Sequence, residues 1–269
     1  MSVGHYENFP VASVLMPAKL RPAVATIYRF ARTADDFADE GELAPGARLE
    51  KLDAFRDELR RLEERGSSEV PLFATLGSVI HEYRLPLRPF HDLLDAFSQD
   101  VRKQRYENFA ELLGYCRKSA NPVGLVLLHL FGEAKPQNVD RSNAVCTALQ
   151  LINFWQDIAL DYRKGRIYLP QDEMARYRVT EACIANGRVD DAWRALMSFQ
   201  VSRARAMLES GAPLAGALGG RIGWELRLIV EGGLRISERI ERVRGDVFRR
   251  RPALRPADWV LMLWRAARR

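Results

Sequence analysis

The sequence predicts an all-α protein, and three observations carry that prediction. Apolar residues recur at helical spacing almost throughout, no set of alternating strands can be found, and the breaks between periodic segments carry the Pro or Gly that ends or kinks a helix. Leu49, Leu52, Phe55, Leu59 and Leu62 form one such stripe. Leu149, Ile152, Asn153, Gln156, Asp157 and Leu160 form another, in which polar groups replace some members. Breaks at 65–71, 84–89, 121–124, 132–138, 166–171, 185–188 and 249–256 divide the chain into roughly eight to ten helices of ordinary or greater length. With 269 residues, 47% of them hydrophobic, and no repeat or low-complexity linker, one domain over 1–269 is expected, its helices packed around a central cavity or core.

Composition narrows the surroundings. Forty-one basic against thirty-five acidic residues leave a formal charge of +6, with arginines crowded towards the C-terminus, which suits an anionic ligand or an anionic membrane surface. Cys116, Cys146 and Cys183 lie far apart, form no CxxC pair and are odd in number, so neither a disulfide framework nor a zinc ribbon is suggested. The N-terminus lacks the pattern of a signal peptide, and the longest apolar run, "VGLVLLHLFG", is too short to span a bilayer. A cytoplasmic location is expected.

Against this background "ARTADDFADE" (31–40) is out of place. On a helix Asp35 and Asp39 project from one face, and that face continues the stripe of Val24, Ile27, Tyr28 and Ala31. Inward carboxylates must be paired, hydrated or metal-bound. Sixteen aspartates would give about one DxxxD pair by composition alone, and the chain has three. Asp53 and Asp57 lie among arginines on a polar face, with Asp57 and Arg61 spaced for an ion pair, and read as solvated surface. Asp157 and Asp161 differ, because Asn153 extends the series backwards by four and makes an oxygen ladder. Two oxygen-rich helical faces without His or Cys at matching spacing point to a hard cation such as Mg2+, which keeps waters and bridges carboxylates to substrate phosphates. A di-iron bundle would need a Glu-x-x-His pair that is missing.

These residues resemble the head-to-head prenyl synthases, the family of squalene and phytoene synthases. "ARTADDFAD" is similar to the first aspartate-rich motif, "YCRKSANPVG" to the mid-chain segment, and "NFWQDIALDYRKGRIYLP" to the second motif and its tail; the likeness runs from "NFPVAS" to "GDVFRRRP". The resemblance implies the isoprenoid synthase fold, with two acidic helices facing each other across a deep cavity. By position it makes Asp35, Asp39, Asn153, Asp157 and Asp161 the metal-binding set, with Asp36 beside them, holding roughly two or three Mg2+ ions on a diphosphate. Arg32 matches a diphosphate-binding arginine, though a surface ion pair with the neighbouring acids would also explain it. Tyr28 is expected to contact substrate. Tyr115 matches a pocket tyrosine, and Arg166 and Tyr168 fall at the pocket edge, where ordinary packing and loop structure are the alternatives.

Departures from the family pattern bear on the product. "SANPVG" stands where most of the resembled family has something like "VAGTVG" or "VAGLVG", so Ser119 and Asn121 replace small residues and Pro122 interrupts the helix. Pro removes a backbone donor, and Asn and Ser add groups able to orient a water. Gln156 occupies a place where many relatives carry Arg, so one diphosphate contact is in doubt, and "ENFPVAS" replaces a serine-rich segment. These variants look most like the bacterial hydroxysqualene synthase branch of hopanoid biosynthesis, which ionises presqualene diphosphate and quenches the cation with water. NADPH is then not expected. Enzymes that supply the substrate and oxidise the product are the implied partners, together with peripheral contact at the inner face of the membrane.

The rivals within the family are presqualene diphosphate, squalene and phytoene synthases. A rival from another class is a non-enzymatic membrane or nucleic-acid binding protein built on "RRRPALRPADWVLMLWRAARR", whose Trp259, Leu263 and Trp264 could face an interface. That reading leaves the acidic ladder unexplained, and nucleic acid would be repelled by it. A hydrolase is disfavoured, since no GxSxG elbow is present.

Overall fold

The computed structural model describes residues 16–39, 41 and 43–268. The segment "ENFPVAS", Glu40 and Arg269 lie outside the described residues. The fold is all-α: among the described residues the only β pairing is an isolated bridge between Arg105 and Ile167. A short 3-10 turn, Ala18–Leu20, leads into α1 (Arg21–Asp39), followed by α2 (Pro45–Arg65), α3 (Pro71–Tyr83), α4 (Arg88–Arg102), α5 (Phe109–Ser119), α6 (Asn121–Leu130) and α7 (Pro136–Arg163). Then come α8 (Gln171–Arg176), α9 (Glu181–Ala185), α10 (Asp191–Gly211), α11 (Leu214–Leu218), α12 (Gly220–Arg242) and α13 (Pro256–Arg268). The count exceeds the expected one because α8, α9 and α11 are single turns with too few residues to show a period.

Proline and side-chain caps set most boundaries. Pro stands in the first turn of α2, α3, α4, α6 and α7, where its missing N–H is no loss. Asn108 and Asp190 cap α5 and α10 by accepting from the backbone N–H of Glu111 (3.0 Å) and Trp193 (2.9 Å). Pro122 separates α5 from α6 with Ala120 alone at the joint, so the break anticipated there is a bend of one residue.

Two apolar clusters result. The first gathers α1 to α4 and part of α6 around Phe30, whose ring meets Phe73 and Phe90 edge to face at 5.9 and 5.5 Å. Full burial of such a ring contributes about 1.5–3 kcal/mol. The second gathers α5, α7, α10 and α12 around the buried Trp155 and Trp193. On α2 the solvated acidic pair is as expected in character but not in register: Asp53 and Asp57 pair with Arg56 and Arg60, and Arg61 pairs with Glu58.

Candidate active site

The stripe on α1 explains how acid comes to lie on an apolar face. Ala23, Val24, Ile27, Phe30, Ala34 and Ala38 are buried in the first cluster, while Tyr28, Ala31, Arg32 and Asp35 sit at the edge of that face and line a cavity. The cavity measures about 570 Å³ and runs between the two apolar clusters, with walls such as Ile27, Phe90, Phe97, Leu127, Leu149 and Ile229. Its volume falls in the usual range for an enclosed small-molecule site. Arg32 and Asp35 give it one charged end.

The second acidic face is on α7, and the chain folds back beyond it. Lys164 and Arg166 follow the helix and reach Asp39: Lys164 Nζ lies 2.9 Å from one carboxylate oxygen and an Arg166 terminal nitrogen 2.5 Å from the other. Burial works to raise the Asp39 carboxyl, but Arg166 and Lys164 outweigh it and hold it below the ordinary carboxylate range. Arg251, from the segment before α13, forms a two-pronged pair with Asp157. Asp35 and Asp161 are less compensated. Burial, then the charge of Asp39, pushes Asp35 up to about 6; burial, then the charge of Asp157, pushes Asp161 up to about 7. On α1, Arg32 pairs with Asp35 (3.2 Å) and Asp36 (2.5 Å).

Tyr115 and Tyr168 converge on a carboxylate that the sequence reading passed over. Tyr115 donates its hydroxyl to Asp100 at 2.7 Å, and Tyr168 donates to the other oxygen at 3.3 Å. Tyr168 also stacks on Phe154, with centroids 3.8 Å apart and planes 7° from parallel. Burial lifts both phenols well above their ordinary value, so they act as hydroxyl donors. Burial likewise pushes Asp100 up to about 7, against the lowering pull of Arg166 and Tyr115. A signal for Asp100 existed: it continues the α4 stripe of Phe90, Leu93 and Phe97, as Asp35 continues that of α1. Arg251 and Lys164 had no such signal, because loop residues have no period to interrupt.

The remaining candidates divide. Ser119 lines the cavity, and its Oγ is enclosed with no hydrogen-bond partner. Asn121 accepts a hydrogen bond from Thr147 Oγ1 at 2.9 Å, which fastens the start of α6 to α7. Gln156 is buried and donates to the carbonyl of Pro252, so it anchors the segment that carries Arg251. Asn153 keeps its place in the α7 ladder one turn before Asp157. Among the described residues no three carboxylates close around a cation by themselves. The donor set is nevertheless all oxygen, and Lys164, Arg166, Arg251 and Arg32 already stand on it as cations. Such a set fits Mg2+ shared with an anionic ligand.

Comparisons with known proteins agree with this geometry. The description Squalene/phytoene synthase matches residues 3–258. The chain is 34% identical over 258 residues to a phytoene synthase of Arthrospira platensis, covering 91% of this chain and 83% of that protein. It is equally 34% identical, over 257 residues, to a hydroxysqualene synthase of Rhodopseudomonas palustris, covering 95% and 86%. Among solved structures, squalene synthase HpnC from Alicyclobacillus acidocaldarius superposes with a TM-score of 0.83 at 37% identity, covering 89% of this chain and 90% of that one. A dehydrosqualene synthase in complex with a ligand also reaches a TM-score of 0.83, covering 94% and 88%, and at 22% identity it speaks for the fold alone. An all-helical chain with two acidic helical faces beside an apolar cavity, matched along nearly its whole length, belongs to the squalene/phytoene synthase family.

Proposed function

We propose that this protein converts presqualene diphosphate and water into hydroxysqualene and diphosphate. The observation that carries the reading is the buried, unpartnered hydroxyl of Ser119 in the wall of a largely apolar cavity, at the segment where the sequence departs from the family pattern. The similarity to named hydroxysqualene synthases supports the choice, and the equal similarity to phytoene synthases keeps the condensation of two prenyl diphosphates as the second reading.

Asp35, Asp39, Asn153, Asp157 and Asp161 would hold Mg2+, which when bound supplies charge to offset that developing on the departing diphosphate. Arg32, Lys164, Arg166 and Arg251 are the donors available to phosphate oxygens, since each now rests on a carboxylate of the same site. The apolar walls would keep bulk water from the cation, while Tyr115 and Tyr168, which are not among the residues lining the cavity, spend their hydroxyls on the buried Asp100. No reductant enters this reaction, so turnover should not depend on NADPH.

No helix among the described residues is long and apolar enough to cross a membrane. An apolar substrate must still reach the site from lipid, and α13 offers a surface for that. Val260 and Trp264 are 71% and 52% exposed, Trp259 and Leu263 lie beside them, and the Arg268 guanidinium sits 3.8 Å over the Trp264 ring. Exposed Arg249, Arg250 and Arg255 add charge of the sign that an anionic bilayer attracts.

The deciding experiment supplies presqualene diphosphate, farnesyl diphosphate or geranylgeranyl diphosphate, with and without NADPH, and identifies the products. Hydroxysqualene from presqualene diphosphate without NADPH is the expected result. Squalene appearing only with NADPH, or phytoene from geranylgeranyl diphosphate, would replace this reading with the corresponding sibling.

A further inference from the structure

A lone β bridge is a small feature of an all-α chain, and this one stands just beyond the end of the second acidic helix. It joins Arg105, in the linker between α4 and α5, to Ile167, in the linker between α7 and α8. Backbone hydrogen bonds extend the join on both sides. Ile167 N–H donates to the Gln104 carbonyl at 2.9 Å, Gln171 N–H to that of Tyr106 at 2.9 Å and Asp172 N–H to that of Glu107 at 3.0 Å. The chain leaving α7 is therefore fastened along its length, and it is this chain that carries Lys164 and Arg166, the two cations that reach Asp39.

Gly165 stands between those cations at φ 82°, in the left-handed region that favours glycine. The turn it makes brings the side chain before it to one oxygen of Asp39 and the side chain after it to the other. The Gly165 carbonyl is where the turn is held. Arg105 Nη1 donates to it at 2.6 Å and to the Gln104 carbonyl at 2.8 Å. Nε and Nη2 of the same guanidinium donate to the two oxygens of Glu181, at 2.7 and 2.9 Å. A guanidinium with two nitrogens on one carboxylate has its plane fixed, so the third nitrogen is aimed. Farther along, the hydroxyl of Tyr168 on Asp100 pins the other end of the segment. Arg105 and Glu181 do not line the cavity and pair with none of the acidic residues of the site. Their side chains are 32% and 44% exposed, and an ion pair so placed adds little to global stability. What it does fix is one carbonyl, the one between the two cations.

We propose that Arg105, steadied by Glu181, is a positioning residue for diphosphate: by holding the Gly165 carbonyl it keeps Lys164 and Arg166 aimed together at the phosphate oxygens. The proposal rests on the reading of Lys164 and Arg166 as diphosphate donors and is indifferent to which hydrocarbon or alcohol forms. Without a ligand the two cations share Asp39. They must pass to phosphate oxygens as a pair, and a turn free to swing would present them one at a time. Arg105 and Glu181 take no part in bond breaking and hold no proton that moves.

The test measures binding of inorganic diphosphate, in the presence of Mg2+, by titration calorimetry. It compares the unaltered protein with Arg105→Ala and Glu181→Gln, and repeats Arg105→Ala on a Lys164→Ala, Arg166→Ala background. Loss of the aiming hydrogen bond should weaken binding about tenfold in Arg105→Ala. Glu181→Gln, which leaves Arg105 in place, should weaken it less. With Lys164 and Arg166 already removed, the same Arg105 change should cost less than about twofold, because nothing is left to aim. A residue that mattered only to the fold would cost the same on both backgrounds, and that result would overturn the proposal. Crystal structures decide the geometry whatever the affinities: in Arg105→Ala the two cations should no longer both rest on Asp39, and an unchanged turn would sink the idea. If the unaltered protein binds diphosphate and Arg105→Ala binds it equally well, the brace is wrong and the site stands. If the unaltered protein does not bind diphosphate, the reading of Lys164 and Arg166 falls and the brace with it.

Discussion

Arg251 grips Asp157 with two nitrogens along one edge of its guanidinium, Nε at 2.5 Å from one oxygen and Nη2 at 3.0 Å from the other, although 94 residues separate them in the chain. The carboxylate proposed as a metal ligand is thus already engaged by a fixed cation. Replacing Arg251 by Ala should tighten Mg2+ binding in the absence of diphosphate by up to about tenfold, because the competitor is gone. Turnover should fall by a similar or larger factor, because a donor to the leaving group is gone as well. Titration calorimetry with Mg2+ and steady-state kinetics on the same preparation would show these opposite effects.

The paired aspartates of α1 should answer differently to removal of charge. Asp35→Asn relieves a carboxylate that burial and Asp39 both disfavour, and should leave the melting temperature unchanged or raised near neutral pH. Asp39→Asn leaves Arg166 and Lys164 without their partner, and should lower it by a few degrees. The double variant should lose Mg2+-dependent diphosphate release; full activity would return both residues to a structural role.

The raised carboxyls give the site a pH signature. Asp35 at about 6, with Asp100 and Asp161 at about 7, all lie above the ordinary value of 3.8. Between these limits the folded protein binds protons that the unfolded chain has released. Their contribution to stability is therefore complete at low pH and is lost as pH rises through 6 to 7. Mg2+ needs the deprotonated forms, so the rise in melting temperature on adding Mg2+ should be small near pH about 5 and larger near pH about 8. Melting curves with and without Mg2+ across that range would measure it.

Asn121 tests the joint. Asn121→Gly removes the acceptor for Thr147 and loosens the start of α6. The hydroxysqualene reading expects a changed rate or product ratio, and an unaltered profile from presqualene diphosphate would count against any part for the "SANPVG" segment in water capture.

Surface charge on α13 tests the membrane contact. Val260→Glu together with Leu263→Glu alters two side chains that are largely exposed. Co-sedimentation with vesicles containing anionic lipid should drop several-fold while activity on detergent-dispersed substrate is kept.

The helices and the two acidic faces were legible because each is a period or a violation of one. Asp35 and Asp161 show themselves by interrupting apolar stripes, and Asp100 does the same on α4. What the sequence could not show is pairing across the chain. Nothing local announces that Arg251 meets Asp157, or that Gln156 turns away to hold the carbonyl of Pro252. Tyr115 and Tyr168 were singled out only by likeness, since a buried tyrosine among apolar residues has the same pattern whether its hydroxyl meets a carboxylate or not.

Lys164 and Arg166 stand on the side of the second apolar cluster, and Asp39 ends the helix that anchors the first. Their ion pairs are therefore a clasp across the seam in which the cavity lies. Any ligand that claims these cations must open the clasp, and a diphosphate shared by both acidic faces would refasten it.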